Sequence, residues 1–193
     1  MEYFNPNDAT SLFEFTTSLG QLIDKKTTHN PLCDIVFVCI GSDRATGDCL
    51  GPIIGHKLSH YRNFSNKRSF HVYGTLENPI HAKNLEATIQ HIHFHHLDAI
   101  TIAIDASLGV VDHIGYVTLG EGSLCPGTGV SKELPAVGDI FITGIVNLSG
   151  FGSQMLLQTT HLNLVMKLAD FISLGLYRCL YQSKFRPALQ RAE

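Results

Sequence analysis

The chain has 193 residues, of which 44% are apolar and 16% charged, and a net charge of −3 with histidine neutral. That balance excludes an intrinsically disordered chain, and the length suits one domain with a substantial core. The acidic balance, with one interrupted basic stretch from Lys57 to Arg68, argues against nucleic acid as a partner.

Leu12, Phe13, Phe15, Leu19, Leu22 and Ile23 recur near helical spacing after the capping residues Asn5, Asn7 and Asp8, and predict a helix over 7–25. Asp34 to Ile40 is almost wholly apolar and β-branched, which marks a strand buried on both faces. A loop follows from Gly41 to Gly47, then a helix from Leu50 to Tyr61 with Pro52 in its first turn. Ser69 to Tyr73 is the second predicted strand, and Asn78-Pro79 opens a helix with the face Ile80, Leu85, Ile89 and Ile92. Ala99 to Ile104 and the short Tyr116 to Leu119 are the next strands. Glu121 to Gly138 is a long Gly/Pro-rich loop of the kind that often carries function. Asp139 to Ile145 is a further strand, and a long helix runs from Ser149 to Tyr181 with a bend expected at Gly175. A polar tail spans 183–193.

Strands alternating with helices predict an α/β fold: a three-layer α/β/α sandwich on a mostly parallel sheet, one domain over 1–193 with its core at about 34–181. Cys33, Cys39, Cys49, Cys125 and Cys179 show no CxxC spacing, which argues against disulfides or a zinc site and for a reducing compartment. The N-terminus lacks a basic start and an apolar run. The apolar stretch from Gln154 to Leu180 contains His161, Asn163, Lys167 and Asp170, too polar for a lipid span. A cytoplasmic protein without membrane contact is expected. Homo-oligomerisation through the last helix stays open.

Two aspartates carry the chemical argument. Asp48 lies in Gly41-Ser42-Asp43-Arg44-Ala45-Thr46-Gly47-Asp48-Cys49-Leu50-Gly51-Pro52, and Asp105 in Ile104-Asp105-Ala106-Ser107-Leu108-Gly109. In open parallel sheets ligands collect beyond the carboxyl ends of strands, and two carboxylates meeting there can share a proton and drive water onto a carbonyl. Each acid also has a plainer reading, Asp48 as a helix cap and Asp105 as a turn residue. Asp43 competes with Asp48. The loop Cys125-Pro126-Gly127-Thr128-Gly129-Val130-Ser131-Lys132 offers free N–H groups for an anion nest or an oxyanion hole, or is an ordinary surface loop. Cys49 and Cys125 flank these motifs, so a cysteine nucleophile is a minority alternative. His91, His93, His95 and His96 show no companion acid in sequence and read as a solvated polar stretch. No metal and no cofactor are expected.

At these residues the chain resembles the sporulation protein YyaC family, through segments 41–52, 104–109 and 126–134. That family is related to the spore germination protease and, more distantly, to hydrogenase maturation endopeptidases. The resemblance covers about 34–181. It implies a phosphorylase/hydrolase-like fold and an aspartic-type peptidase site whose two acids fall on Asp48 and Asp105. Gly127, Thr128, Gly129 and Lys132 would form the substrate and oxyanion loop. The maturation peptidases use an acid at the first position to sense nickel in their substrate; at their second acid this chain offers only Glu77 nearby. The expected function is hydrolysis of peptide bonds in small spore proteins, in the cytoplasm of a spore-forming bacterium. The alternatives are a non-catalytic scaffold on the same fold or a hydrolase of small molecules.

Overall fold

A computed structural model of the chain describes residues 1–28, 30, 33–61, 70–127, 134–150 and 152–182. In chain order the elements are β1 (Glu2–Phe4), α1 (Ser11–Lys26), β2 (Ile35–Cys39), a 3₁₀ turn (Thr46–Cys49), α2 (Leu50–Tyr61), β3 (Phe70–Tyr73) and α3 (Leu85–His95). Then come β4 (Ile100–Gly109), a second 3₁₀ turn (Val111–His113), β5 (Val117–Glu121), β6 (Ile140–Leu148), α4 (Ser153–Gln158) and α5 (Leu162–Gln182).

The six strands form one sheet in the order β1-β5-β6-β4-β2-β3. β3, β2, β4 and β6 are parallel, and β5 and β1 pair antiparallel at the far side. β2 is buried along its whole length, as its unbroken apolar run requires. Its alternating side chains face two layers. Ile35, Phe37 and Cys39 join Ile100, Ile102 and Ile104 beneath α1, α2 and α5. Val36, Val38 and Ala103 join Leu85 and Ile92 of α3 on the other face. The crossover through α2 carries the chain outward from β2 to β3, and the crossover through α3 returns it past β2 to β4. The strand order therefore reverses between β2 and β4, where an open α/β sheet leaves a crevice.

Several boundaries differ from the sequence expectation, each for a local physical reason. β1 has no sequence signal because it is three residues long; backbone pairing with β5 and the edge-on packing of Phe4 against Phe15, with ring centroids 5.4 Å apart, hold it. α3 starts at Leu85 rather than Asn78. Ile80 instead makes a parallel bridge with Ile40, and the Asn84 side chain ties off the turn by accepting from His81 N–H (2.8 Å) and donating to Pro79 C=O (3.0 Å). β4 runs on to Gly109, so Asp105 lies inside the strand rather than at its end. The expected long C-terminal helix is broken at Thr159–His161. There the Asn147 amide donates to the Leu156 carbonyl (2.9 Å) and takes the place of the next helical bond. The break is not at Gly175, where a Cβ would land on the Phe15 ring. α5 itself turns Val165, Leu168, Ala169, Ile172 and Leu176 into the core.

Gly175 is thus a close-packing position. Alanine has the better helix propensity by about 1 kcal/mol, but overpacking against Phe15 costs about 1–3 kcal/mol. Gly175→Ala is expected to lower the unfolding free energy in urea by up to about 2 kcal/mol; a gain in stability would contradict close packing at this position.

Candidate functional site

The reversal between β2 and β4 sets the site. β2 ends at Cys39, paired with Ile104, and Ile40 N–H still reaches Ile104 C=O at 2.7 Å. From Asp105 to Gly109, β4 is paired on the β6 side, with Asp105 opposite Thr143. On its β2 side the chain leaving Ile40 turns away at Gly41, whose φ of 134° lies in the region that favours glycine. A Cβ there would collide with the Asp48 carbonyl, so only glycine lets the 3₁₀ turn fold back over the strand end. The turn packs against β4 and is braced from above by α4, where Gly47 meets Leu157 and Thr160.

This arrangement puts Asp48 and Asp105 in one electrostatic neighbourhood but gives them different surroundings. Asp105 is 8% exposed, and its Oδ1 accepts from Ala106 N–H at 2.8 Å. Burial first, and the negative charge of Asp48 second, push its carboxyl well above the usual range. Asp48 is half-buried, and its Oδ2 accepts from both Ser42 N–H (2.8 Å) and Ser42 Oγ–H (3.0 Å). Burial raises Asp48 as well, while the two Ser42 bonds and the positive charge of His81 pull it down. Both carboxyls are thus raised, Asp105 the further, and Asp48 is the one with partners that favour its charged form. The ion pairs among the described residues, such as Lys57–Asp170 at 2.8 Å, involve neither. A chain of hydroxyls, Ser107–Thr143 at 3.0 Å and Thr143–Thr118 at 2.7 Å, continues the polar floor beside Asp105.

The other sequence candidates fall elsewhere. Asp43 is exposed, and its charge acts on Cys49. Glu77 is exposed on the wall of a 470 Å³ cleft at the end of β3, lined also by Gly74, Thr75, Asn78 and His81. The Cys49 thiol donates to Ala45 C=O (3.4 Å) and is pushed up by burial and by Asp43 and Asp48, the reverse of an activated nucleophile. Gly127 has a positive φ of 76°, and Thr128, Gly129 and Lys132 lie outside the described residues. The base of their loop is closed by the Leu124–Val137 bridge near the start of β6, at the opposite end of the sheet from Asp105.

Sequence reasoning missed Ser42 and His81. Ser42 stood in the quoted motif, but its two bonds to Asp48 depend on the turn at Gly41. His81 is brought in by tertiary contact alone: Gly41 N–H donates to Ile80 C=O at 2.7 Å and fastens its segment to the strand end.

Residues 3–175 match the family described as "Protein of unknown function (DUF1256)". The chain is 45% identical over 175 residues to "Uncharacterized protein YyaC" of Bacillus subtilis (strain 168), which spans 91% of this chain and 82% of that one. The chain belongs to the DUF1256 family. It is also similar to a solved structure, the NiFe hydrogenase maturation protease HycI from Thermococcus kodakarensis KOD1, with a TM-score of 0.51 and 15% identity over 81% of this chain and 97% of that one. At that identity the likeness is one of fold, the mixed, mostly parallel sheet with flanking helices.

Two outcomes follow for the site. Gly41→Ala is expected to cost at least about 1 kcal/mol in urea unfolding, because the backbone conformation and the approach of Asp48 both exclude a Cβ. For Asp105, the folded carboxyl holds its proton above the usual value of 3.8, so the unfolded chain loses that proton first. Stability from this group is full below that value and falls as pH rises toward the raised folded one. Asp105→Asn, neutral throughout, lacks this fall, so the melting temperature of the variant should gain on the wild type as pH rises from about 4 to neutrality. Parallel melting curves for the two proteins would contradict the assignment.

Proposed function

We propose that this member of the DUF1256 family is a peptidase-type hydrolase in which Asp48 and Asp105 work as a base and an acid. The observation that carries the reading is the unequal environment of the two carboxyls: one desolvated beside a negative charge, the other held by two Ser42 donors with His81 near. Neighbouring carboxyls whose surroundings favour the proton to different degrees are suited to opposite proton-transfer roles.

In the proposed step Asp48 takes a proton from a water molecule whose oxygen bonds to the peptide carbonyl carbon. Asp105 gives its proton to the carbonyl oxygen. The tetrahedral adduct collapses as its C–N bond breaks, the Asp48 proton goes to the leaving amine and a hydroxyl proton returns to Asp105. Gly127, Thr128, Gly129 and Lys132 enter as the loop that steadies the oxygen. The open cleft beside Glu77 and His81 suits an extended peptide better than a small molecule, which favours enclosure. The name of the solved protein with this fold, a protease, agrees with the reaction class. The motif resemblance to sporulation and germination-protease families points to small spore proteins as substrate and to the cytoplasm of a spore-former.

Purified chain incubated with acid-soluble spore proteins is expected to yield discrete fragments by mass spectrometry. Asp48→Asn and Asp105→Asn should each slow cleavage by at least about 100-fold while circular dichroism stays unchanged. Undiminished cleavage by either variant would reject the scheme. Ser42→Ala and His81→Gln each remove an influence that lowers the Asp48 pKa, so the acidic limb of the kcat/KM profile should move to higher pH in both. An unmoved limb would remove Asp48 as the base.

A further inference from the structure

The opposite end of the sheet carries a second cluster, unrelated to the two aspartates. Asp34 immediately precedes β2, and His71 lies on β3 opposite Val36. Alternation along the strands puts Asp34, Val36, His71 and Tyr73 on the face covered by α3, and α3 ends there with His96 as its C-terminal cap. Ligand atoms of Asp34, His71 and His96 all lie within 4.8 Å of one another. His71 Nε2 is 3.2 Å from Asp34 Oδ2, and the two imidazole rings are 4.1 Å apart between centroids. The Tyr73 hydroxyl lies 2.9 Å from His96 Nε2, which fixes the ring and leaves Nδ1 for another partner.

We propose that Asp34, His71 and His96 form a binding site for a divalent cation of the zinc class. Two imidazoles and one carboxylate are the nitrogen and oxygen donors such an ion takes, and tetrahedral ligation at about 2.0–2.1 Å sets donors about 3.3 Å apart. The His71–Asp34 separation already has that spacing, and the donor on His96 lies within 4.8 Å of both. All three residues are half-buried, with the Asp34 side chain 41% exposed, so water completes the coordination from the open side of edge strand β3. Tyr73 acts behind His96, as the outer partner that orients a ligating imidazole. The site ties the start of β2, the edge strand and the end of α3 together. The histidine run 91–96 therefore finds an acidic companion only through the fold, and of its members it is His96 that contributes.

Calorimetric titration of the full chain with zinc chloride tests this. About one ion per chain should bind saturably. His71→Gln and His96→Gln should abolish that binding, and Tyr73→Phe should weaken it by about tenfold or more. Asp48→Asn should keep wild-type affinity, since Asp48 lies at the other end of the sheet from the cluster. Absence of saturable binding, or wild-type affinity in both histidine variants, overturns the site. Should a histidine variant fail to fold, imidazole NMR of the wild-type chain decides. Zinc should shift the ring signals of His71 and His96 and leave those of His56 and His60 in place; the converse pattern refutes the proposal.

Discussion

Strand β4 outruns its neighbour β2, and the rest of the upper end of the molecule follows from that mismatch. Up to Ile104 the two strands share a ladder. Beyond it β4 keeps only its β6 partner, and its free side must be covered by whatever the chain does after β2. The cover is the Gly41 turn and the 3₁₀ segment that carries Asp48. A carboxyl placed on the uncovered part of β4 is therefore removed from water by the same loop that brings a second carboxyl toward it. Desolvation and like charge act together on Asp105 because one geometric fact produces both.

The surrounding packing keeps this costly arrangement from relaxing. Asp48 is fixed from below by Ser42 and, through the Gly47 contact with Leu157 and Thr160, from above by α4. α4 in turn is held by Asn147 at the end of β6. The helix break at Thr159–His161 thus belongs to the same construction: a single continuous helix would lack the short bracing segment. A buried acid tolerated in this way costs stability that a hydrophobic residue would not, which is why such placements mark functional candidates.

The two ends of the sheet differ in kind. At the carboxyl ends of β2 and β4 the polar groups are acids, backbone donors and hydroxyls. At the amino ends of β2 and β3 they are imidazoles and one acid. α3 spans the distance, starting after the segment that positions His81 and ending at His96. Both ends owe their contents to register, because a slip of one residue in β3 would turn His71 and Tyr73 to the opposite face.

Alternation and run length made the layered α/β order readable in the chain itself: β2 announces itself by an unbroken apolar, β-branched run, and α1 by its helical spacing. The Gly-flanked positions of Asp48 and Asp105 were likewise visible, as both are written in short local motifs. What the chain order alone could not decide was everything that depends on distant segments. β1 forms because β5 offers an edge, Asp105 becomes interior because β6 extends its strand, and His81 acts on Asp48 because Gly41 binds the carbonyl before it. Asp34 meets His71 and His96 across 37 and 62 positions of chain. Local sequence sets which residues are apolar, which turns need glycine and where acids follow strands. Pairing and packing between segments far apart set burial and proximity, and those two quantities determine which charges feel one another.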